Sequence, residues 1–480
     1  MSYNGVVEKC PDFYPAYMML GVAYQSLGSF EKAEQYLRQA VKLSPESADP
    51  RLNLGLYYLS RGNTSKAIVE FKKAVTIDPE GPAGWFDLGL GDIRAGNVEG
   101  ALASLKKANQ LDPGNPRIRL ALVDAALKAK QPDLAQQQAD ELIAQDPKNP
   151  GLMLALGALL EEGGDAARAG QVFRKAKEVS PEPLKAFLEA ANQATAQGHY
   201  HSGLAMLEFV SDVGKDSAPW NESIGDVYYK LGQIKAAVSH LQEAIRLEPR
   251  NEDYYLEFGS LLTQYHADDA CLLVFQSAAR ILPHSVKIQS ALAVAYMMEK
   301  RYSKAEAILR SVIRTSPGYL PAYQLLGESY GAAREWENLK KTGQTIVTRD
   351  PREAVGWYYQ AQADYEFAMS DGGKLSIAES EVRKSLTLRS QYGPASYLLG
   401  KILVAENRGD EAVAALKKAA ALDDDPTISY TLALTYRKLG QKRESEVAMK
   451  DFNEAVARKR AAYRKLTVKI GEAHMQTANE

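Results

Sequence analysis

The sequence predicts an all-α fold, an α-α superhelix of about thirteen helix-turn-helix units followed by a C-terminal capping helix. Prolines recur every 34 residues, small residues recur in the same register, and apolar residues within each repeat follow helical spacing. Only Lys215 interrupts the proline register. Its ten members, out of 21 prolines in the chain, are Pro11, Pro45, Pro79, Pro113, Pro147, Pro181, Pro249, Pro283, Pro317 and Pro351.

Each repeat has the pattern of two helices joined by a turn that contains glycine. In the first repeat, Tyr17, Gly21 and Tyr24 share one helical face. Gly28 interrupts this pattern, which then resumes and ends at Pro45. Small residues such as Gly21 allow the two helices to approach closely. Because one helix pair cannot bury its apolar face alone, we expect successive pairs to stack.

The spacing of individual residues resembles the tetratricopeptide repeat (TPR) family. That family has a 34-residue helix-turn-helix unit with the pattern W-x2-L-G-x2-Y…A-x3-F…P. The second and third repeats carry Leu54-Gly55-x2-Tyr58, Ala67-x3-Phe71-x2-Ala74, Asp78-Pro79 and Trp85-x2-Leu88-Gly89. The resemblance implies a TPR solenoid in which the first helix of each repeat lines a concave groove, with the fifth, ninth and twelfth positions facing it.

The register also divides the chain into segments. These are a remnant second helix (1–13), ten contiguous repeats (14–353), three further repeats (354–459), and a capping helix with a frayed tail (460–480). We place about five extra residues of the eleventh repeat, 354–392, in the turn between its helices, around Asp371-Gly372-Gly373. The start within a repeat leaves open a missing upstream segment, including a lost signal peptide.

The sixth repeat, 184–217, departs most from the pattern among the first ten. It has Ala191 where other repeats have glycine, Gly203 where they have alanine, and Lys215 where they have proline. We therefore expect looser packing in this repeat and a bend or opening of the array there. Uniform hydrogen-exchange protection across all repeats would contradict this hypothesis.

The bulk composition excludes several classes of protein. A net charge of −2 argues against nucleic acid as a partner. Cys10 and Cys271 form no zinc or redox motif, and the apolar stretches are too short to span a membrane. The N-terminus lacks a signal-peptide pattern, which favours the cytoplasm without settling the compartment. The sequence leaves the oligomeric state open.

No group of residues predicts catalysis. The stretch 327–331 has the letters of a G-x-S-x-G nucleophile elbow around Ser329, but it lies within a predicted repeat helix rather than a strand-to-helix turn. His199 and His201 lack a third ligand at metal-binding spacing. We therefore predict no catalytic residue, cofactor, metal or small-molecule substrate, and no enzyme activity.

The groove positions supply the candidate binding residues. The N-terminal repeats place an apolar strip there, and later repeats place tyrosines, which suit interfaces. The predicted partner-binding residues are Leu52, Leu56, Leu59, Phe86, Leu90, Ile93, Tyr358, Tyr397 and Tyr430. The alternative is that many of these side chains pack against the next repeat.

These observations predict a non-catalytic scaffold that binds partner proteins or peptides in the concave groove. The alternative is the TPR region of a larger enzyme or sensor whose catalytic domain lies outside this chain. A third hypothesis, a helical-repeat RNA reader, is disfavoured by the strict period of 34 and by the net charge.

Overall fold

A computed structural model describes residues 3–265 and 267–458, and every regular element within them is an α-helix, which confirms the predicted all-α class. The first fifteen helices are α1 Tyr3–Lys9, α2 Tyr14–Ser26, α3 Phe30–Leu43, α4 Ala48–Ser60, α5 Thr64–Ile77, α6 Pro82–Ala95, α7 Val98–Leu111, α8 Pro116–Lys128, α9 Pro132–Gln145, α10 Pro150–Glu162, α11 Ala166–Val179, α12 Pro183–Ala196, α13 Tyr200–Phe209, α14 Ser211–Gly214 and α15 Ala218–Lys230. The remainder are α16 Ile234–Leu247, α17 Glu252–Gln264, α18 Asp268–Ile281, α19 Val286–Met298, α20 Tyr302–Thr315, α21 Leu320–Ala333, α22 Trp336–Arg349, α23 Ala354–Asp371, α24 Ser376–Leu388, α25 Gly393–Ala405, α26 Gly409–Leu422, α27 Pro426–Lys438 and α28, which spans 442–458.

The chain forms two compact bodies, and the division falls between Ala237 and Val238 within α16. In the N-terminal body, the two helices of a repeat pack together, as α2 does with α3 and α4 with α5. The first helices of successive repeats also contact each other, as α2 does with α4 and α4 with α6. The C-terminal body repeats both kinds of contact, for example between α25 and α26 and between α23 and α25. Each body is therefore a stack of helix pairs.

Local chemistry sets where the helices begin and end. Gly96 ends α6 in the left-handed conformation (φ 75°), which a residue without a Cβ adopts at little cost. Asn97 then caps α7, because its side chain accepts a hydrogen bond from the Gly100 amide at 3.3 Å. Pro82 lies in the first turn of α6, where the missing N–H removes no intrahelical hydrogen bond.

In six of the described helix pairs, a glycine of the first helix makes room for a large side chain from the second helix. A Cβ placed on Gly55 would lie 2.4 Å from Cε1 of Phe71, whose ring is fully buried. Ala67 is also fully buried in the same helix pair. The same arrangement recurs in five further pairs: Gly21 with Leu37, Gly89 with Leu105, Gly157 with Phe173, Gly259 with Phe275, and Gly400 with Leu416.

The tenth repeat solves this packing problem differently. Glycines occupy both positions, Gly327 in α21 and Gly343 in α22, so neither residue fills the space. Tyr359 enters it from the next repeat, since a Cβ on Gly327 would lie 2.2 Å from the Tyr359 ring. The buried Tyr359 hydroxyl donates to the Gln324 carbonyl at 2.8 Å. A large residue from a neighbouring repeat can thus replace one from the same pair.

The sixth repeat exchanges the small residues but keeps their contact. Ala191 of α12 and Gly203 of α13 are both buried, and a Cβ on Gly203 would lie 3.3 Å from the Ala191 carbonyl oxygen. The prediction of looser packing is therefore wrong at this contact, because alanine and glycine have only changed places. The irregularity lies further along, where Val210 separates α13 from the four-residue α14.

Two predicted features are the insertion in the eleventh repeat, which lies elsewhere than predicted, and the C-terminal capping helix, which lies outside the described residues. The extra residues of the eleventh repeat lengthen its first helix to 18 residues, and the turn begins only at Gly372, which is left-handed (φ 68°). The prediction of a turn insertion is therefore wrong, because neither glycine nor proline occurs between Gly356, in the first turn of the helix, and Gly372. The predicted capping helix, 460–480, lies outside the described residues. Among the described helices, none is long and apolar enough to cross a bilayer.

Candidate protein-binding surfaces

We call the residues predicted in the second and third repeats the N-terminal strip; they are Leu52, Leu56 and Leu59 of α4 and Phe86, Leu90 and Ile93 of α6. Leu56 is 43% exposed, whereas Leu52, Phe86, Leu90 and Ile93 are partly buried. The strip is therefore partly covered by its own neighbours.

Leu59 needs a correction. It is only 7% exposed and belongs to the core cluster that also contains Leu54 and Tyr58. The Arg94 guanidinium donates to the Leu59 carbonyl at 3.1 Å, which fixes the end of α4 against α6. The Leu59 side chain thus packs in the core next to the strip and is too buried to contact a partner.

The strip extends one repeat further than the sequence reasoning placed it. Val22 of α2 is 43% exposed and occupies the ninth position of the first repeat, as Leu56 and Leu90 do in the second and third. The same position in three successive repeats thus carries an apolar side chain, which is exposed in the first two repeats and partly buried in the third. Applying the position rule to the first repeat would have found Val22.

Charged groups border the strip on α6 and α8. The Arg117 guanidinium lies over the Phe86 ring, 5.7 Å from its centroid. Burial raises the pKa of Asp87 to about 6, and the positive charge of Arg117 opposes this rise only in part. A partly desolvated carboxyl therefore adjoins the apolar strip.

The predicted tyrosines lie in the C-terminal body and differ from one another in exposure. Tyr358 is partly buried and packs edge-on against Tyr392, with ring centroids 5.3 Å apart. Burial and the nearby Glu328 carboxylate raise the pKa of Tyr358 to about 12. Tyr430 is 43% exposed, and its ring lies 5.3 Å from that of Phe452. Of these two, Tyr430 is the more accessible to a partner.

Tyr397, the third predicted tyrosine, is partly buried and contacts polar and charged neighbours. Its hydroxyl shares a hydrogen bond of 3.1 Å with the Thr431 hydroxyl, which links α25 to α27. The ammonium group of Lys401 lies 5.8 Å from the Tyr397 ring centroid and 4.5 Å from that of Tyr365. Both rings stabilise this cation, whose pKa burial lowers while Glu366 opposes the shift.

The structure adds a pocket that sequence reasoning did not name. We call it the repeat-six pocket; it has a volume of about 510 Å³ and lies between α12 and α15. Leu184, Leu188 and Val213 contribute apolar surface to it. The signal in the sequence is the departure of the sixth repeat from the pattern, which predicts looser packing and a bend or opening there but does not by itself predict a pocket.

The residues that the sequence suggested as possible catalytic or metal-binding groups lie within or at the ends of the repeat helices. Ser329 lies inside α21 and is 1% exposed, so no strand-to-helix turn presents its hydroxyl. His199 occupies the residue before α13. Cys271 is buried, and its thiol lies 3.8 Å from the Gly259 carbonyl. No three His, Cys, Asp or Glu residues in the described part of the chain are grouped to hold a metal ion.

Comparison with known proteins gives weak matches to individual chains. Superkiller complex protein 3 of Homo sapiens is 26% identical over 169 residues, which cover 35% of this chain and 11% of that protein. Tetratricopeptide repeat protein 37 of Xenopus laevis is 25% identical over 173 residues, with the same shares. The aligned region thus spans about a tenth of these relatives.

Two solved structures have TM-scores below 0.5. A tetratricopeptide repeat protein from Parabacteroides merdae gives a TM-score of 0.45 at 16% identity, covering 53% of this chain and 99% of that one. Yeast Tom70 gives 0.39 at 14% identity, covering 96% of this chain and 99% of that one.

Four family models describe stretches of this sequence, and each of them describes the tetratricopeptide repeat. The matched stretches are 18–82, 92–160, 225–264, 261–328 and 394–426, and together they cover more than half of the chain. The packing of phenylalanine or leucine against glycine within the helix pairs agrees with the residue pattern from which the resemblance was inferred. The chain belongs to the tetratricopeptide repeat family.

Proposed function

We propose that this chain is a non-catalytic scaffold that binds a partner protein or peptide along the first helices of its N-terminal repeats. The observation that carries the proposal is the apolar row at the ninth position of the first three repeats, in which Val22 and Leu56 are exposed and Leu90 is partly buried. Apolar side chains that remain exposed side by side on successive elements are typical of interaction sites.

The rigidity of the helices beneath the row supports this proposal. The contact of Gly55 with Phe71 and the fully buried Ala67 fix α4 against α5. A partner would therefore lose little binding free energy in ordering the scaffold, and affinity would come from apolar area removed from water, at roughly 25 cal/mol per Å². An apolar helix or extended segment fits such a surface.

The tyrosines of the C-terminal body are a further part of this proposal. Tyr430 combines a half-exposed ring with a hydroxyl, so it can contribute both apolar area and a hydrogen bond to a partner of the C-terminal body. Tyr358 and Tyr397 would mainly support that region, because neighbouring groups already cover or bind them.

Site-specific photo-crosslinking tests the proposal. Benzoylphenylalanine at position 56 should crosslink a defined protein in extract of the native cells, whereas the same group at position 69 should not. Val69 is the matched control, because it is also half-exposed but lies on the second helix α5. Competition by the unlabelled chain should abolish the crosslink.

A second arm tests whether the apolar row contributes binding energy. The pair Val22→Glu and Leu56→Glu should reduce capture of the crosslinked protein at least about tenfold, because two charges would be placed against an apolar partner. The control pair is Val69→Glu with Leu273→Glu, both exposed positions on second helices. Equal loss with the control pair, or no specific crosslink at position 56, would overturn the proposal.

A further inference from the structure

The repeat-six pocket lies where the regular pattern of helix pairs is interrupted. Helix α13 ends at Phe209, and the chain continues as the short α14 before α15 begins at Ala218. Val213 of α14 is 51% exposed and lines the pocket together with Leu188 of α12. The interruption therefore leaves an aliphatic side chain uncovered beside a cavity.

Trp220 holds this interruption open in a defined geometry. Its indole N–H donates to the Leu207 carbonyl at 2.9 Å, close to the end of α13. A Cβ on Gly214 would lie 2.5 Å from the indole ring, so the ring occupies the space beside α14. Since Trp220 is 4% exposed, it holds α13, α14 and α15 together from within the core, next to the pocket-lining Pro219. The pocket is thus a built feature of the fold.

The pocket suits an apolar side chain. Its apolar surface comes from Pro183, Leu184, Leu188, Val213 and Pro219. A volume of about 510 Å³ lies within the range of roughly 300–1,000 Å³ that is typical of ligand pockets in proteins. An apolar group entering it would leave water and contact these aliphatic surfaces, which is favourable in proportion to the area buried.

The charged residues around the pocket are predominantly acidic. Glu182, Glu189 and Glu222 line it, against Lys177 and Lys185. Both lysines already lie beside carboxylates. Lys177 is 2.7 Å from Asp212, and Lys185 is 3.6 Å from Glu182. Once Asp212 is included, four carboxylates face two ammonium groups, so the local field favours a cationic ligand.

We propose that the repeat-six pocket binds a large apolar side chain of a partner segment in which lysine or arginine flanks that side chain. The proposal rests on the scaffold function and specifies the partner's chemistry. The side chain enters between α12 and α15, while the flanking cations approach the acidic rim of the pocket at Glu189. Asn192, which also lines the pocket, can both donate to and accept from a peptide group.

Three fluorescein-labelled synthetic peptides test this chemistry with the full chain by fluorescence anisotropy. The probe GSKKLKKSG carries both features, GSKKAKKSG lacks the large apolar side chain, and GSEELEESG reverses the charge. We expect the leucine probe to bind about tenfold more tightly than the alanine probe, and the acidic probe to bind more weakly than either. Raising the salt concentration should weaken both basic probes.

Two substitutions separate the apolar and charged contributions. Val213→Asn should remove most of the difference between the leucine and alanine probes. Glu189→Lys should weaken both basic probes by a similar factor, about threefold or more, and leave their ratio unchanged. The matched controls are Val69→Asn, at a half-exposed valine of α5, and Glu46→Lys, at an exposed glutamate between α3 and α4.

The outcomes distinguish this inference from the scaffold proposal. Probe selectivity that Val213→Asn abolishes, and that both controls retain, would support the pocket even if the crosslink at position 56 failed. Absence of saturable binding of GSKKLKKSG up to about 1 mM, or equal effects of Val213→Asn and Val69→Asn, would overturn the pocket. A native partner still captured through Val22 and Leu56 would leave the scaffold proposal intact in that case.

Discussion

The second and sixth repeats have the same length and lie in the same body, yet they pack their second helices differently. In the second repeat, α5 runs without interruption to Ile77, and Phe71 fills the space beside Gly55. In the sixth, the small residues have changed places and the second helix breaks at Val210. The exchange is tolerated because the summed volume at the contact is unchanged.

The same comparison separates two kinds of candidate surface. The regular repeats leave a row of single apolar side chains on their first helices, such as Leu56. The irregular repeat produces a pocket, because α14 does not continue the packing of α13. The regular pattern therefore favours extended binding along many repeats, and its interruption favours recognition of one side chain.

Removing the indole that fills the interruption should have the largest effect. Trp220→Ala would create a cavity beside Gly214 and remove the donor to the Leu207 carbonyl, so we expect destabilisation of about 4 kcal/mol. Hydrogen exchange of α12 to α15, read together with urea unfolding, measures it. Trp85→Ala is the control in a regular repeat, since that indole is only partly buried while it donates to the Pro79 carbonyl at 2.8 Å.

For Trp85→Ala we expect a loss of about 1 kcal/mol, mostly from the hydrogen bond. Similar losses for Trp85→Ala and Trp220→Ala would mean that the interruption has no special dependence on its indole.

Replacing the glycine by alanine at the helix-helix contact of each of the two repeats should have the next largest effect on stability. Gly55→Ala would place a Cβ 2.4 Å from the enclosed Phe71 ring, and we expect a loss of about 2 kcal/mol. A Cβ on Gly203 would lie 2.7 Å from the Thr195 hydroxyl, and moving that group would cost its hydrogen bond of 2.8 Å to the Ala191 carbonyl, but alanine also favours the helix and offsets this loss. We therefore expect a change within about 1 kcal/mol for Gly203→Ala.

The thermal midpoints of the two single variants provide the measurement, since both act within the N-terminal body. If Gly203→Ala cost as much stability as Gly55→Ala, the two contacts would be equally tight, and the proposed difference between the repeats would fail.

A structural feature could be predicted from the sequence when the residues that determine it lie within one repeat, and was missed when they lie in neighbouring repeats. The period of 34 specified the helix pairs, because Gly55 contacts Phe71 and Ala67 is buried within the same single repeat. Beside the break at Val210 lies Trp220, which comes from the next repeat, and the repeating pattern does not encode this contact. Leu59 was misplaced for a similar reason, since its burial depends on neighbours in three dimensions.

Restoring the proline register should destabilise the sixth repeat, although the family pattern suggests the opposite. Lys215 has helical backbone angles (φ −52°, ψ −31°), and its amide donates to the Ser211 carbonyl at 3.1 Å. Lys215→Pro would remove this donor, and we expect a loss of about 1.5 kcal/mol. Lys215→Ala is the control that keeps the N–H.

Hydrogen exchange of the amides in α14 reports the result directly. Stabilisation by Lys215→Pro would show that the chain can adopt the regular turn at this slot, and the interruption would then be a weak preference.

The smallest expected effect is the change of stability with pH that the Asp87 carboxyl, beside the N-terminal strip, produces. The pKa of Asp87 in the folded chain, about 6, lies above its ordinary value of 3.8, because burial disfavours the carboxylate. The folded state therefore holds this proton more tightly than the unfolded state does. The resulting stability is fully present below the ordinary pKa and is lost as the pH rises through about 6.

Asp87→Asn removes this dependence while keeping the shape of the side chain. At pH 7.5 we expect the variant to be more stable than the parent by an amount on the order of 1 kcal/mol, reduced by solvent at the partly buried carboxyl and by Arg117. Near pH 4 the two chains should unfold at the same temperature. A stability difference that does not vary between pH 4 and 7.5 would assign the effect to packing, and the strip would then border an ordinary carboxylate. If the difference grows with pH, and crosslinking at position 56 grows weaker over the same interval, the charge on Asp87 disfavours the apolar partner that the strip is proposed to bind.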